Sequence, residues 1–147
     1  MVNYGKVLEL FVSLKGESRE NRSSIELDEN GVIDDKFYAK DNIRSVLIAS
    51  KESYKIASGN QIEIEYGVLG ENILIDINPY NLNFGDKILI GAVELQITQN
   101  CTMCNTLAKI DKKLPKVLKN DRGIFAQIIK SGKIKKGDKV QILPNKT

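Results

Sequence analysis

Short apolar runs with a period of two residues recur along the chain, and they constrain its fold more than any other feature. In residues 88–97, a period of two is set by Ile88, Ile90, Val93, Leu95 and Ile97, and it is broken at Gly91-Ala92, where a hairpin can turn. Similar runs occupy residues 4–14, 73–77 and 140–143. This alternation is typical of strands with one buried face. Roughly eight such strands and two or three short helices predict a mainly β fold, an all-β barrel in one domain spanning the chain.

Local signals predict the other elements. The Asn30-Gly31 pair predicts a tight hairpin, because both residues tolerate positive φ angles. The apolar run 45–49 predicts a buried strand, and residues 51–58 predict a short helix. Residues 61–67 alternate like a strand, although their glutamates would also suit a helix, and the polar segment 15–24 predicts a surface loop.

Both cysteines, Cys101 and Cys104, lie where the strand pattern changes to a helical one. Apolar residues then recur at offsets of three or four over 107–118, and residues 105–106 offer an N-cap. Proline inside a helix loses a hydrogen bond and clashes with the preceding turn, at roughly 3 kcal/mol. We therefore expect two short helices, the second beginning at Pro115.

The chain has no histidine, which narrows the available chemistry. Ser-His-Asp and Cys-His catalysis, HExxH zinc hydrolysis and imidazole proton shuttles are excluded within this sequence. Charge is uneven: residues 1–100 hold 10 Lys and Arg against 16 Asp and Glu, while residues 101–147 hold 12 against 3. The basic C-terminal third would suit nucleic acid, a phosphorylated cofactor or an acidic protein, or it is simply a solvated face.

The Cys101-Thr-Met-Cys104 pair has four chemical interpretations. A thioredoxin-type dithiol belongs to a βαβ context that this pattern lacks, and a zinc site needs two further ligands. Two inert, buried thiols are a third interpretation. The fourth is a thiolate that acts as nucleophile, persulfide carrier or soft metal ligand. Here Cys104 is the better candidate, since a helix start and nearby lysines favour an anion, whereas Cys101 would resolve a disulfide or pack.

Five motifs follow one another in a defined order. They are Asp41-Asn-Ile-Arg44-Ser-Val-Leu-Ile, Leu69-Gly70-Glu71-Asn72-Ile73, Gly85-Asp-Lys-Ile-Leu-Ile-Gly91-Ala-Val-Glu-Leu, Cys101-Thr-Met-Cys104 and Arg122-Gly123-Ile-Phe-Ala. Together they resemble the MOSC family, domains related to the C-terminal part of molybdenum cofactor sulfurases. The resemblance extends over about residues 5–143, and the chain looks like the small stand-alone bacterial form.

This resemblance implies a MOSC-like β-barrel, similar to that of pyruvate kinase, in which the cysteine matching Cys104 carries sulfur as a persulfide or binds molybdenum. Relatives hold the molybdenum cofactor, a phosphorylated pterin, near that thiol. Arg44 matches a family arginine on the strand that enters the site, and Gly70, Glu71 and Asn72 match its cofactor-binding turn. The implied partners are a pyridoxal-phosphate-dependent cysteine desulfurase as sulfur donor and proteins that make or use the molybdenum cofactor.

One segment departs from the family pattern. Many members have Gly-Asp-x-His where this chain reads Asp34-Asp35-Lys36-Phe37, so the histidine is missing. If that histidine binds the ligand, this chain has kept the barrel and lost cofactor affinity.

Two other function classes compete with this interpretation. One is a non-catalytic module that presents the basic helical segment 109–119 to nucleic acid or to a protein. Nucleic acid is the weaker choice, because no aromatic residue lies between Cys101 and Ile124 to stack on bases. The other is a CxxC redox or zinc-binding protein. The sequence has no signal-peptide pattern or membrane-length apolar run, which predicts a cytoplasmic protein.

Overall fold

The computed structural model describes residues 3–16, 18–102 and 105–144, with only the backbone of Asn105. Within these ranges the strands are β1 (Tyr4–Ser13), β2 (Arg19–Arg22), β3 (Ser24–Asp28), β4 (Gly31–Val32), β5 (Val46–Ser50), β6 (Ile73–Ile75), β7 (Lys87–Ile90), β8 (Val93–Asn100), β9 (Ile124–Lys130), β10 (Gly132–Lys135) and β11 (Lys139–Leu143). The helices are α1 (Lys51–Gly59), α2 (Asn105–Ile110) and α3 (Leu114–Val117), and Asn42–Arg44 form a 3-10 turn. The prediction of a mainly β fold is confirmed.

Seven strands close into a barrel in the order β1-β11-β7-β8-β9-β5-β6 and back to β1. Neighbours are antiparallel except β5 and β6, which are parallel and joined through α1. Strand β1 closes the barrel because it pairs with β11 through Tyr4 and Gln141, and with β6 through Leu10 and Ile73. Closure leaves no free edge in the ring.

The barrel interior is the larger of the apolar cores. Side chains alternate along each strand, so Val46 and Ile48 of β5 point inward while Leu47 and Ala49 point outward. The inward set is fully buried and includes Leu10, Ile73, Ile75, Ile88, Ile90, Leu95, Ile97 and Ile124. This packing fixes the barrel wall, and the wall in turn positions the groups on its outer face.

A second apolar layer lies between the outer face of the barrel and the three helices. It is made by outward residues of β5 and β6, the helical residues that face them and the 62–69 segment, namely Ala49, Leu74, Tyr54, Ala57, Leu107, Leu114, Leu118, Ile62 and Leu69. Helix α1 begins at an N-cap in which the Ser50 hydroxyl accepts from the Glu52 amide at 3.1 Å.

Several predicted elements differ in detail. Residues 61–67 form no strand, although all are described; their alternation arises because Ile62 and Ile64 pack on the outer layer while Glu63 and Glu65 face solvent. The predicted loop 15–24 contains β2, whose polar side chains gave no apolar signal. Helix α3 begins at Leu114 with Pro115 as its second residue, and α2 has Asn105 as its first helical residue, not as its N-cap. The Asn30-Gly31 hairpin is confirmed between β3 and β4.

Candidate functional site

An open cavity of about 620 Å³ lies against the outer wall of the barrel. Leu47 of β5 and Phe125 of β9 face it from the wall, since their strand neighbours point into the barrel interior. Its other sides come from the segments 35–45 and 68–72, the β1–β2 pair and the start of α2. Volumes of roughly 300–1,000 Å³ are usual for sites that hold small molecules and cofactors.

The described side chains around this cavity carry an excess of positive charge. The cations are Arg19, Lys36, Lys40, Arg44, Lys109 and Arg122, and the acids are Asp35 and Asp41. A cleft lined mainly by one sign of charge concentrates ligands of the opposite sign. The cavity is therefore suited to an anion.

Arg19 is a cavity residue that the sequence analysis did not identify. Its guanidinium donates to the Ser13 hydroxyl and to the backbone carbonyl oxygen of Glu71, and it stacks on the Phe11 ring at 5.6 Å from the centroid. These contacts hold the planar group in one orientation. Burial lowers the pKa of Arg19 from its ordinary value, while Glu71 and Asp35 act in the opposite direction.

Arg44, the predicted ligand-binding arginine, also lines the cavity but is held more loosely. It ends the 3-10 turn before β5, and 47% of its side chain is exposed. Its Nε lies 3.9 Å from a carboxylate oxygen of Asp41, and its guanidinium carbon lies 5.7 Å from the Phe125 ring centroid. Arg44 is thus available at the rim of the cavity.

The predicted Gly70-Glu71-Asn72 turn divides between the cavity and the protein interior. Gly70 lines the cavity with a φ of 88°, a conformation that favours glycine. Glu71 is fully buried and does not belong to the cavity lining; its carboxyl accepts from the Tyr54 hydroxyl at 2.6 Å and the Gly67 amide at 3.2 Å. Burial raises the pKa of the Glu71 carboxyl.

Asn72 lines the cavity and cross-links the structure behind it. Its Oδ1 accepts from the Leu47 amide at 3.1 Å, and its Nδ2 donates to the Phe11 carbonyl at 3.2 Å and to Asp35 Oδ1 at 3.0 Å. The amide group therefore has three protein partners and joins β5, β1 and the 35–41 loop.

Of the two cysteines, the structure describes Cys101 but not Cys104. Cys101 is 2% exposed, packs on Leu47 and Phe125, and borders the cavity. Cys104, the predicted reactive thiol and molybdenum ligand, lies outside the described residues. Cys101, three residues before it, and Thr106, two residues after it, both line the cavity.

Arg122 is buried between this cavity and a smaller one of about 260 Å³ under α2 and α3. It donates to the Leu69 carbonyl at 2.8 Å and to the Thr106 hydroxyl at 3.4 Å. These bonds tie the segment before the Gly70 turn to the first turn of α2, which stabilises two sides of the cavity against each other.

The segment that departs from the family pattern forms another side of the cavity. Asp35 is buried, and its carboxylate accepts from the amides of Ser13 at 2.7 Å and Phe37 at 3.0 Å in addition to Asn72. Phe37, at the histidine position of the family pattern, is 56% exposed at the rim. Asp34, at the glycine position, has a φ of 75°.

Among the described residues, no group of three or more cysteine and acidic side chains is arranged to hold a metal ion. None of the described helices has the length and apolar character needed to cross a bilayer.

A closed seven-stranded barrel with a cation-lined cavity on its outer wall defines the structural class. The MOSC domain model matches residues 35–141, and the chain belongs to the MOSC domain family. No curated protein sequence matches it.

Solved structures share this fold. YuaD protein from Bacillus subtilis superposes with a TM-score of 0.85 at 17% identity over 97% of both chains. YiiM from Geobacillus stearothermophilus gives 0.76 at 14% identity over 95% of this chain and 75% of its own. YiiM from Escherichia coli gives 0.68 at 17% identity over 95% and 71%. At sequence identities of 14–17%, the similarity to these structures establishes a shared fold.

Proposed function

We propose that the protein binds the molybdenum cofactor, a phosphorylated pterin, in this cavity, and that Cys104 carries sulfane sulfur or ligates molybdenum there. The observation that carries the proposal is the excess of cations around a cofactor-sized cavity lined also by Cys101 and Thr106, in a chain of the MOSC family.

The described residues fit an anionic ligand. The Nε of Arg19 is buried without a hydrogen-bond partner, and Lys40, Arg44 and Lys109 add positive charge around the same space. Arginine suits phosphate because its planar fork matches two oxygens at once. We assign Arg44 to attract the anionic ligand at the rim, Gly70 and Asn72 to shape the wall, and Glu71 to support the turn from behind. When bound, the cofactor would supply a metal centre for oxygen-atom or sulfur chemistry, with Cys104 as a soft ligand.

Cys104 would take up sulfur by attack of its thiolate on the outer sulfur of a persulfide on a cysteine desulfurase. One S–S bond forms at Cys104 and the donor's S–S bond breaks, so the donor leaves as a thiolate and no external oxidant is needed. The basic residues near the cavity would stabilise the thiolate and the persulfide anion.

The test is persulfide loading followed by intact-mass analysis. With a cysteine desulfurase, cysteine and pyridoxal phosphate, wild type should gain about 32 Da, and reductant should remove it. Cys104→Ser should gain nothing, whereas Cys101→Ser, the matched control, should load like wild type. Binding of the molybdenum cofactor is measured in parallel by molybdenum and phosphate content. If Cys104→Ser matches wild type in both measurements, the proposal is wrong.

The α2–α3 segment favours a second candidate function, a binding module for an anionic macromolecule. Its lysines all face solvent while its leucines pack inward; the exposed set is Lys109, Lys112, Lys113, Lys116 and Lys119. Binding of a single-stranded DNA probe in fluorescence anisotropy should then weaken steeply with salt and be abolished when these lysines are replaced by glutamine. No binding at low salt would exclude nucleic acid.

A further inference from the structure

We propose that Arg19 is the principal anion-binding residue of the cavity and that it takes a tetrahedral oxyanion, either the phosphate group of a larger ligand or a free inorganic ion. The inference rests on the proposed function only in placing a ligand in this cavity. It requires no chemistry at Cys104.

The first step of the argument is orientation. Arg19 lies at the start of β2, which pairs with the end of β1 through Ser13. Its two terminal nitrogens donate to the Ser13 hydroxyl and the Glu71 carbonyl, and the Phe11 ring lies 5.6 Å from the guanidinium carbon. A side chain fixed in this way loses little further freedom when it binds a ligand, which favours affinity.

The second step is charge. Both hydrogen-bond partners of Arg19 are neutral, and no carboxylate of the described residues forms an ion pair with it. Its Nε is buried without a partner. A partly buried cation is costly unless an anion compensates it. Glu71 and Asp35 act on the Arg19 charge but form no ion pair with it among the described residues, so a bound anion would complete the compensation.

The third step concerns the two acids nearest to Arg19. The Asp35 carboxylate accepts hydrogen bonds from the Ser13 and Phe37 amides and from Asn72, so its oxygens are engaged elsewhere. Burial raises the pKa of Glu71, its carboxyl accepts from the Tyr54 hydroxyl, and Glu71 does not belong to the cavity lining. Both acids accept hydrogen bonds from other protein groups, and neither forms an ion pair with Arg19 among the described residues.

Arg44 is a weaker anion-binding residue than Arg19, because 47% of its side chain is exposed and its charge is partly shared with Asp41. A hydrogen bond from a solvated arginine contributes less than one from a desolvated and fixed arginine. Arg44 should therefore assist at the rim, while Arg19 determines which group binds.

The experiment measures binding of inorganic phosphate and of phenyl phosphate by calorimetry and by ligand-dependent thermal shift. Arg19→Gln should weaken phosphate binding about 10- to 100-fold, the range for loss of charged hydrogen bonds. Arg19→Lys keeps the charge and loses the planar fork, so it should be intermediate. Tighter binding of phenyl phosphate than of phosphate would indicate a ligand-borne phosphate, and the reverse order would indicate a free ion; both ligands should depend on Arg19.

The matched control is Arg22→Gln, which removes the same charge from the same strand. Arg22 pairs at the surface with Glu20 and Asp34, so its replacement should change the dissociation constant less than about 2-fold. Circular dichroism verifies that each variant is folded. If Arg19→Gln destabilises the protein, phosphate affinity is compared between wild type and Arg19→Lys, and Arg19→Gln is titrated below its own melting temperature.

Three results would overturn the proposal: no phosphate binding by wild type, equal losses in Arg19→Gln and Arg22→Gln, or a larger loss in Arg44→Gln than in Arg19→Gln. Phosphate binding by Cys104→Ser separates this inference from the proposed function. If that variant binds phosphate like wild type but wild type takes up no sulfur or cofactor, the proposed function fails and the role of Arg19 stands.

Discussion

Replacement of Asn72 by alanine should destabilise the protein strongly, because one buried amide joins three parts of the structure. Asn72 is 6% exposed and holds the Leu47 amide, the Phe11 carbonyl and Asp35 Oδ1. The variant leaves the Leu47 N–H unpaired, at about 1–3 kcal/mol, and removes a bond to a carboxylate, at about 1.5–3 kcal/mol. Allowing for partial relaxation, the expected loss is about 3–5 kcal/mol.

For a chain of this length each kcal/mol corresponds to roughly 3 °C, so the melting temperature should fall by about 10–15 °C. Thermal and urea unfolding followed by circular dichroism measure the change. Asn21→Ala is the control, because its amide donates to Glu9 at the surface, and it should change stability by less than about 0.5 kcal/mol. A melting temperature of Asn72→Ala within about 3 °C of wild type would refute the reasoning from buried hydrogen bonds.

Three further substitutions test the helix layer, the buried acid and the strained turn. Leu107→Ala should cost about 2–5 kcal/mol in urea unfolding, because Leu107 is 1% exposed, whereas Ile110→Ala on the same helix, 40% exposed, should cost far less; equal costs would contradict the packing. The raised pKa of Glu71 means that its stabilising contribution is complete below the unfolded-state pKa, near 4.3, and is lost as pH rises through the folded-state pKa. Wild type should therefore lose stability relative to Glu71→Gln as pH rises above about 4.3, and a pH-independent stability difference between the two proteins would contradict the raised pKa. Asp34→Gly should stabilise by about 0.5–1 kcal/mol, because glycine tolerates the φ of 75° and the lost bridge to Arg22 is at the surface; a fall in stability would contradict this.

Much of the fold could be predicted because it depends on signals that strands carry in their own residues. Alternation identified β1, β7 and β8, and Asn30-Gly31 identified the β3–β4 hairpin. Residues 61–67 have a strand-like pattern but form no strand. A coil segment that packs one side against the helix layer shows the same alternation of apolar and polar residues as a strand. Periodicity reports which side chains are buried, and it does not report whether the backbone has a pairing partner.

The candidate site was partly predictable for a related reason. Arg44, Gly70 and Asn72 line the cavity, as expected if they serve one ligand. Arg19 was missed because it lies in a polar segment without apolar periodicity. Its position at the cavity depends on the pairing of β2 with β1, which the local sequence does not show. The burial of Glu71 could not be predicted from the sequence either, because the local Gly-Glu-Asn motif does not show that Tyr54 packs against the carboxyl.

The closure of the barrel by β1 has a consequence for how the chain folds. Tyr4 and Gln141 are neighbours in the register, so the ring cannot close until β11 is available to pair. Pairing between positions so far apart in sequence must overcome a large loop-closure entropy, which makes folding slow compared with that of proteins rich in local contacts. Before β11 pairs, the edges of β1 and β7 that it later covers can form hydrogen bonds with strands of other chains. Refolding yield should therefore depend on protein concentration, even if the closed barrel is monomeric and stable.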